Sequence, residues 1–388
     1  MGCHSVSADG STLVATVEDD SAPTEAPYTN WTGVRAWASF DLPEGTLGIQ
    51  TTKSGANSAL TPNGEYVVFG GKSDTAVTGS KYLSLAVTAT GEVIPTSGLD
   101  DIVLAETNFG LMMPAFSFDG TKLAFVEAGG DLDDNVLPTP SNRIIYVDFD
   151  QSLPAVDPTV HEVARAADFA AGNEQLGYPA FTPDSQWVAY HTGQYSTGCH
   201  DGCTDASPDA GELWISNIDG GSPIRLDKLN DPPNAADHYV HREPTFCPVT
   251  RGGYSWVVFT SMRDWGNELT GATLNGKRRL WVAAIDAEIG TVDPSHPAFY
   301  IEGQENTPNM RGFWALAACI ETPPPGEQGQ MCTAGFECCS GFCVNGQCVD
   351  RTKAACAGVG GPCAAAGDCC NAAATQCIDE ICRVAVVQ

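Results

Sequence analysis

A repeated segment constrains the fold of this chain more than any other feature. Five stretches each place an apolar residue before a polar turn and an alternating apolar strand: SVSADGSTLVATVE (5–18), ALTPNGEYVVFGG (59–71), PAFSFDGTKLAFVE (114–127), PAFTPDSQWVAYHT (179–192) and PTFCPVTRGGYSWVVFTS (244–261). Aligned on Val6, Leu60, Phe116, Phe181 and Phe246, they follow one another at spacings of 54, 56, 65 and 65 residues. Self-similarity at a long period is typical of repeat architectures.

The repeats carry signals for hairpins and for additional strands. Asp9-Gly10, Asn63-Gly64 and Asp119-Gly120 stand at the turns, where glycine tolerates the positive φ of a tight hairpin. Third strands are predicted at 143–150, 212–219 and 279–286, and short fourth strands at 161–165, 223–226 and 298–302. Four antiparallel strands every 55 to 65 residues predict the blades of an all-β propeller, with no long helices.

The repeat resembles that of the TolB-type β-propellers, in which a Pro-x-aromatic-Ser-Pro-Asp-Gly turn precedes an apolar strand. The third and fourth copies match best, and the first has His4 in place of the proline. The resemblance implies a TolB-like β-propeller over about residues 4–318, within a domain 1–318. Six blades are favoured because NTPNMRGFWALAAC (306–319) looks like one more inner strand, and five blades are the alternative. Such propellers serve as binding platforms, as lids on peptidases or occasionally as enzymes. The fold therefore does not indicate the function, which must be inferred from the residues of the site.

The C-terminal region has a different composition, because 12 of the 16 cysteines lie between Cys319 and Cys382. Cysteines at this density indicate disulfides and an oxidising compartment. Residues 321–330 form a linker containing proline and glycine. We therefore predict two small disulfide-stapled modules, 319–350 (with the linker) and 351–388, in which covalent bridges replace a hydrophobic core.

The cysteine order in each module resembles an inhibitor cystine knot, or knottin. The first module has Cys319, Cys332, Cys338, Cys339, Cys343 and Cys348, and the second has Cys356, Cys363, Cys369, Cys370, Cys377 and Cys382. Spacing alone leaves 15 connectivities open for six cysteines. The resemblance implies the pairs 319–339, 332–343 and 338–348, then 356–370, 363–377 and 369–382.

Charge and hydropathy restrict the partners and the location. The net charge of −29 repels nucleic acid and anionic membranes, and no run of 18 apolar residues predicts a membrane span. The cysteines favour an extracellular or cell-surface location, with the periplasm as the alternative, although no signal sequence is visible in the chain. Gly2-Cys3 resembles the remnant of a bacterial lipoprotein cleavage site, and an ordinary role for Cys3 is the competing interpretation.

The densest polar segment is DHYVHREP (237–244), just before the fifth inner strand. His238 and His241 are candidate metal ligands, and Glu243 is a candidate third ligand or base. His191 and Arg311 complete the set of candidate axial ligand-binding residues. Residues i and i+3 of a strand point to opposite faces, and Pro244 is expected to keep Glu243 extended. We therefore expect at most one of the two histidines to face the channel and neither to bind metal.

Two further polar clusters are weaker candidates. Asp131, Asp133 and Asp134 lie in one loop, and their carboxylate oxygens suit Ca²⁺ as a cofactor. They lack the full calcium-loop spacing, so a solvated acidic loop without a cofactor is expected. Cys199 and Cys203 in CHDGC are expected to form a local disulfide rather than a zinc site. No nucleophile elbow, phosphate-binding loop or dinucleotide fingerprint is present.

Two functional hypotheses follow from these features. The favoured one is a secreted or cell-surface binding protein without enzymatic activity, whose acidic propeller binds a protein or polysaccharide ligand and whose C-terminal modules serve docking or protease resistance. The alternative is a propeller-type, metal-assisted lyase or hydrolase that acts on an extracellular polymer. Self-association is left open by the sequence.

Overall fold

The computed structural model describes most of the repeat region and four short strands near the C-terminus. The described residues are 4–8, 10, 12–17, 33–38, 57–70, 83–105, 109–129, 143–169, 175–193, 211–230, 241–263, 278–304, 309, 311–314, 343–344, 347–348, 375–378 and 381–384. The chain divides into two compact units, residues 1–315 and 316–388. Within the described ranges, no helix is long and apolar enough to cross a membrane.

Five antiparallel sheets make up the described part of the first unit. The first contains β1 (His4–Val6), β2 (Thr12–Val17) and β3 (Gly33–Ala38), and the second contains β4 (Asn57–Leu60), β5 (Tyr66–Gly70) and β6 (Leu83–Val87). The third contains β7 (Phe109–Phe116), β8 (Lys122–Gly129) and β9 (Arg143–Asp150), with β10 (Ala155–Val156) and β11 (His161–Arg165) both paired to β9. The fourth contains β12 (Gln175–Phe181), β13 (Trp187–Gly193), β14 (Gly211–Asn217) and β15 (Ile224–Arg225). The fifth contains β16 (His241–Phe246), β17 (Tyr254–Ser261), β18 (Arg279–Asp286) and β19 (Phe299–Tyr300).

The strand positions confirm the repeat. The five residues used for the alignment are the last residues of β1, β4, β7, β12 and β16, which are the first strands of their sheets. The strands predicted at 143–150, 161–165 and 279–286 are β9, β11 and β18, and the other predicted third and fourth strands overlap β14, β15 and β19. Helices in the described residues are short, at Leu99–Asp101, Ala166–Asp168 and Asp227–Asn230 (α1).

Successive sheets pack face to face, and each neighbouring pair shares its own apolar core. The shared cores include Val14 with Phe69, Val68 with Phe125, Val126 with Tyr190, and Leu213 with Phe259 and Trp281. Phe181 and Phe246 are buried in such cores, as predicted, whereas Phe116 is only partly buried and meets Phe149 edge-on at 5.0 Å. Each fully buried side chain of this size stabilises the fold by roughly 1.5–3 kcal/mol.

The first strands of the sheets lie side by side at the centre of the unit. β1 contacts β4, β4 contacts β7, β7 contacts β12 and β12 contacts β16. Residues 311–314 then connect the fifth sheet to the first, because Thr245 Oγ1 donates to the Gly312 carbonyl at 2.5 Å and the rings of Phe313 and His4 lie 5.1 Å apart. The unit is therefore mostly β, with its sheets in a propeller-like arrangement.

A hydroxyl side chain closes the first hairpin in four of the repeats. The residue after the aligned position is Ser or Thr, and its oxygen accepts the backbone N–H five residues later over 2.9–3.1 Å: Ser7 from Thr12, Thr61 from Tyr66, Ser117 from Lys122 and Thr182 from Trp187. In the second, third and fourth repeats the same hydroxyl donates to Asn63, Asp119 or Asp184 at 2.9, 2.6 and 2.5 Å. We call this arrangement the hydroxyl clasp.

The turns closed by the hydroxyl clasp share a residue with positive φ, and the clasp favours the charged form of Asp119. Gly10, Gly64 and Gly120 have φ values of 74°, 70° and 71°, as predicted, and Ser185 has 60° at the same position of the fourth repeat. Partial burial raises the pKa of Asp119, but hydrogen bonds from Ser117 and Thr121 outweigh it and hold that pKa below its ordinary value. The carboxylate form is thus favoured as the acceptor in the turn.

The second unit contains two short antiparallel hairpins in its described residues. β20 (Cys343–Val344) pairs with β21 (Gln347–Cys348), and β22 (Thr375–Ile378) pairs with β23 (Ile381–Val384). Cys343 is the direct partner of Cys348 and Cys377 that of Cys382, so the fifth and sixth cysteines of each predicted module lie opposite each other. The other ten cysteines assigned to disulfides lie outside the described residues: Cys199, Cys203, Cys319, Cys332, Cys338, Cys339, Cys356, Cys363, Cys369 and Cys370.

Gly64 offers a test of the packing between the first two sheets. A Cβ at this position would lie 2.5 Å from Thr12 Oγ1 and 2.8 Å from Thr12 Cβ. Gly64→Ala should therefore lower the free energy of unfolding by about 2–4 kcal/mol, since it adds a clash to the strain of a positive φ. Gly252→Ala is the matched control, with φ 68° and its nearest neighbour 3.8 Å away. Denaturant unfolding that gives equal losses for the two variants would contradict this account.

Candidate functional site

The first strands of all five sheets line one cavity, which we call the axial cavity. Its volume is about 110 Å³. Its walls combine aromatic and proline side chains with serine and threonine hydroxyls, contributed by β1, β4, β7, β12, β16 and residues 311–314. Arg311 is the only charged residue among the described residues that line it. The cavity is therefore a mainly uncharged space with one fixed cation in its wall.

An irregularity in the inner strands sets the direction of the side chains around this cavity. Met113, Tyr178, Glu243 and Arg311 have φ values of 52°, 50°, 56° and 45°, a conformation that non-glycine residues rarely adopt. The first three each precede a proline, and the strand register shifts at each of these prolines. Because a bulge adds one residue to a strand, it redirects the following side chains.

The expectation that Pro244 keeps Glu243 extended is wrong. Glu243 has the left-handed backbone conformation, and it is buried. Met113 and Tyr178 have the same conformation before their prolines, so the bulge common to the inner strands outweighs the steric preference of a residue before proline. Glu243 Oε2 accepts hydrogen bonds from Thr260 Oγ1 at 2.8 Å and from the backbone N–H of Arg311 at 3.0 Å.

Arg311 is held at both its backbone and its side chain. Its N–H also lies 3.0 Å from Thr260 Oγ1, so two acceptors fix the strained backbone. Its guanidinium carbon lies 5.1 Å from the ring centre of Tyr178 and 5.3 Å from that of Phe313. Cation–π contacts of this kind favour a desolvated guanidinium over a planar ring.

His191 and His241 occupy separate buried positions beside the inner strands. The ring of His191 lies 5.5 Å from that of Tyr178, and burial and the charge of Arg242 hold its pKa well below the ordinary value. His241 Nε2 donates to the Asn230 carbonyl at 3.2 Å, and its Nδ1 lies 3.0 Å from Ser261 Oγ. Burial and the charge of Arg263 likewise hold the pKa of His241 well below the ordinary value. Both rings are therefore neutral at pH 7.

His4 joins the same region from the opposite end of the chain. Burial lowers its pKa, and the charge of Arg311 lowers it further against the opposing effect of Glu243. Its ring contact with Phe313 places it next to the closing segment. Sequence reasoning did not single out His4, Tyr178 or Phe313 as site residues. Tyr178 lies three residues before Phe181, as Glu243 lies before Phe246 and Arg311 before Trp314, and this spacing is the signal that could have identified Tyr178.

Several sequence-based candidates lie outside the described residues, namely His238, Asp131, Asp133 and Asp134. Within the ranges that are described, no group of three or more His, Cys, Asp or Glu side chains is arranged to hold a metal ion. The structure brings Glu243 and Arg311 together, places His191 beside Tyr178, and places His241 next to α1 and β17.

The described sheets of the first unit are antiparallel and have a propeller-like arrangement. A solved structure of putative TolB from Agrobacterium tumefaciens is similar to 79% of this chain and 84% of its own, with 15% identity and a TM-score of 0.43.

Two further solved structures show the range of similar proteins. TolB from Acinetobacter baumannii is similar over 66% of this chain and 47% of its own, with 14% identity and a TM-score of 0.37. A puromycin-hydrolysing peptidase of Mycobacterium tuberculosis is similar over 77% of this chain and 38% of its own, with 14% identity and a TM-score of 0.41. No protein family model and no curated protein matches the sequence.

The buried histidines predict a pH-dependent stability. A histidine whose pKa is lower in the folded chain binds its proton only after unfolding, so stability is full above about pH 6.5 and falls as the pH drops below it. His241→Gln should reduce the stability difference between pH 7.5 and pH 5.5 by about 1 kcal/mol. His161→Gln, at a partly exposed position of β11, is the control and should leave most of the difference in place. Urea unfolding at the two pH values gives the measurement, and an unchanged difference in His241→Gln would refute the assignment.

Proposed function

We propose that this protein is a secreted or cell-surface binding protein without enzymatic activity, and that its propeller presents the axial cavity to a protein or polysaccharide ligand. The observation that carries the proposal is that the ionisable side chains of Glu243 and His241 form hydrogen bonds with other groups of the protein. Glu243 binds Thr260 and the Arg311 backbone, and His241 has a protein partner at each ring nitrogen. Groups held in this way stabilise the inner strands, whereas a general acid or base needs a proton site within reach of a substrate.

We also propose that the propeller has six inner strands, with residues 311–314 as the sixth. This is supported by the shared conformation of Arg311, Glu243 and Tyr178, each three residues before the bulky aromatic residue Trp314, Phe246 or Phe181. It is further supported by the hydrogen bond from Trp314 Nε1 to the carbonyl of Thr245 in the fifth inner strand, at 3.1 Å. This bond places residues 311–314 beside that strand. Five blades remain the alternative arrangement.

The C-terminal modules are proposed to be two cystine knots that dock the protein or protect it from proteolysis. In a knot the fifth and sixth cysteines lie on one hairpin but bond to the second and third. The opposed positions of Cys343 and Cys348, and of Cys377 and Cys382, are compatible with that arrangement. A formed knot requires an oxidising compartment, which supports the proposed extracellular location.

Disulfide mapping tests the knots. Proteolysis of the non-reduced protein followed by mass spectrometry should give Cys332–Cys343 and Cys338–Cys348, with Cys363–Cys377 and Cys369–Cys382 in the second module. Reduction should destabilise the modules by about 2–4 kcal/mol per bridge. Bridges that join Cys343 to Cys348, or Cys377 to Cys382, would reject the knots, and free thiols would reject the oxidising compartment as well.

A cavity-filling variant tests the binding function. Ala8 lines the axial cavity and is partly exposed. Ala8→Trp should weaken ligand retention about tenfold or more by occupying the cavity. Ala287→Trp, also at a partly exposed alanine but away from the cavity lining, is the control and should bind normally.

The ligand screen uses the purified full-length chain and a panel of extracellular polysaccharides and proteins. Binding is measured by affinity electrophoresis, polymer cleavage by release of new ends, and metal content by mass spectrometry. Retention without cleavage is expected. Cleavage that requires a bound metal would overturn the proposal in favour of the metal-assisted lyase or hydrolase.

A further inference from the structure

Arg311 is a partly buried cation with one unused hydrogen-bonding group. Its Nη1 atom is buried and has no hydrogen-bond partner among the residues that the structure describes. Among the described residues, no acid forms an ion pair with its guanidinium, and the carboxylate of Glu243 accepts from the Arg311 backbone N–H. A buried donor without a partner is costly, so such a group is a natural contact for a ligand or water.

The conformation of Arg311 favours a planar ligand group. The two aromatic contacts described above cover the guanidinium, so the remaining donors lie along its edge. The edge of a guanidinium presents paired N–H groups that match the two oxygens of a carboxylate. The bonds to Glu243 and Thr260 fix the backbone of Arg311, and the contacts with Tyr178 and Phe313 position its guanidinium before any ligand arrives.

The remainder of the cavity wall restricts what can enter the axial cavity to a small, singly charged group. A volume of about 110 Å³ holds only a few heavy atoms besides the group bound to Arg311. The aromatic and proline side chains suit a short aliphatic part, and one cation can balance one negative charge. Ser5 and Ser58 hydroxyls, 3.2 Å apart, share one hydrogen, which leaves the other as a donor facing the same space.

We propose that the axial cavity is a binding site for a short-chain monocarboxylate, with Arg311 as the residue that binds the carboxylate group. The net charge of −29 opposes any anion at long range, so the affinity comes from this local contact and depends on the guanidinium. The carboxylate site shares the axial cavity with the proposed polymer binding, but binding of a free monocarboxylate requires no polymer ligand.

The test compares sodium propionate with propionamide, its neutral analogue of the same shape. Binding to the full-length protein is followed by ligand-observed NMR at constant ionic strength, so that screening by salt is the same in all samples. Propionate should bind about tenfold or more tightly than propionamide. Equal affinities, or no detectable propionate binding, would overturn the proposal, and tighter binding of sulfate than of propionate would reject the carboxylate assignment.

Variants locate the site. Arg311→Met should weaken propionate binding about tenfold or more, and Arg311→Lys, which keeps the charge but loses the planar fork, should give an intermediate loss. Arg165→Met makes the same change of charge at an exposed side chain and should leave the affinity unchanged. Circular dichroism confirms the fold of each variant. Unchanged binding in folded Arg311→Met would refute the assignment, and if that variant does not fold, Arg311→Lys and the comparison of the two ligands still decide.

Discussion

The arrangement of the inner strands around the axial cavity depends on one constraint, a residue with left-handed backbone conformation within these strands. Tyr178, Glu243 and Arg311 take this conformation at equivalent places, and each is followed by the segment that lines the axial cavity. A non-glycine residue in this region costs of order 1–3 kcal/mol, so it persists only where its surroundings fix it. At Arg311 the fixing contacts are identified: a carboxylate and a hydroxyl both accept the same N–H.

This constraint links the cores between sheets to the cavity. Phe181 and Phe246 are buried in the shared cores and also line the axial cavity. Tyr178, three residues before Phe181, likewise packs against one of these cores and lines the cavity, and Arg311, three residues before Trp314, lines the cavity as well. One short segment therefore supplies both packing and cavity wall. A change at the left-handed position is expected to disturb both, which couples stability to any ligand held at the axis.

The repeat was readable from the sequence because its signals are local. The alternating apolar strand predicted after each turn is the second strand of its sheet, because a period-2 strand after a turn needs only neighbouring residues to form. The backbone of Glu243 was predicted wrongly because the preference of a residue before proline is also local, whereas Thr260 and Arg311 are 17 and 68 residues away. Arg311 was predicted as an axial residue, but its contacts with Tyr178 on β12 and with Phe313 two residues later were not predicted, because they depend on the tertiary fold. The sequence does not predict which aromatic side chains line the axial cavity.

The fifth repeat differs from the others at the clasp position, where Cys247 replaces the serine or threonine. The backbone bond survives, from Cys247 N–H to the Trp256 carbonyl at 2.8 Å, but it now spans nine residues rather than five, because the turn carries Arg251-Gly252-Gly253. The thiol is buried, and burial raises its pKa despite a hydrogen bond from Val249. An alkylating reagent would therefore modify Cys247 only in the moments when this hairpin separates from its neighbours. The rate at which Cys247 is alkylated would therefore report how often the fifth sheet opens locally.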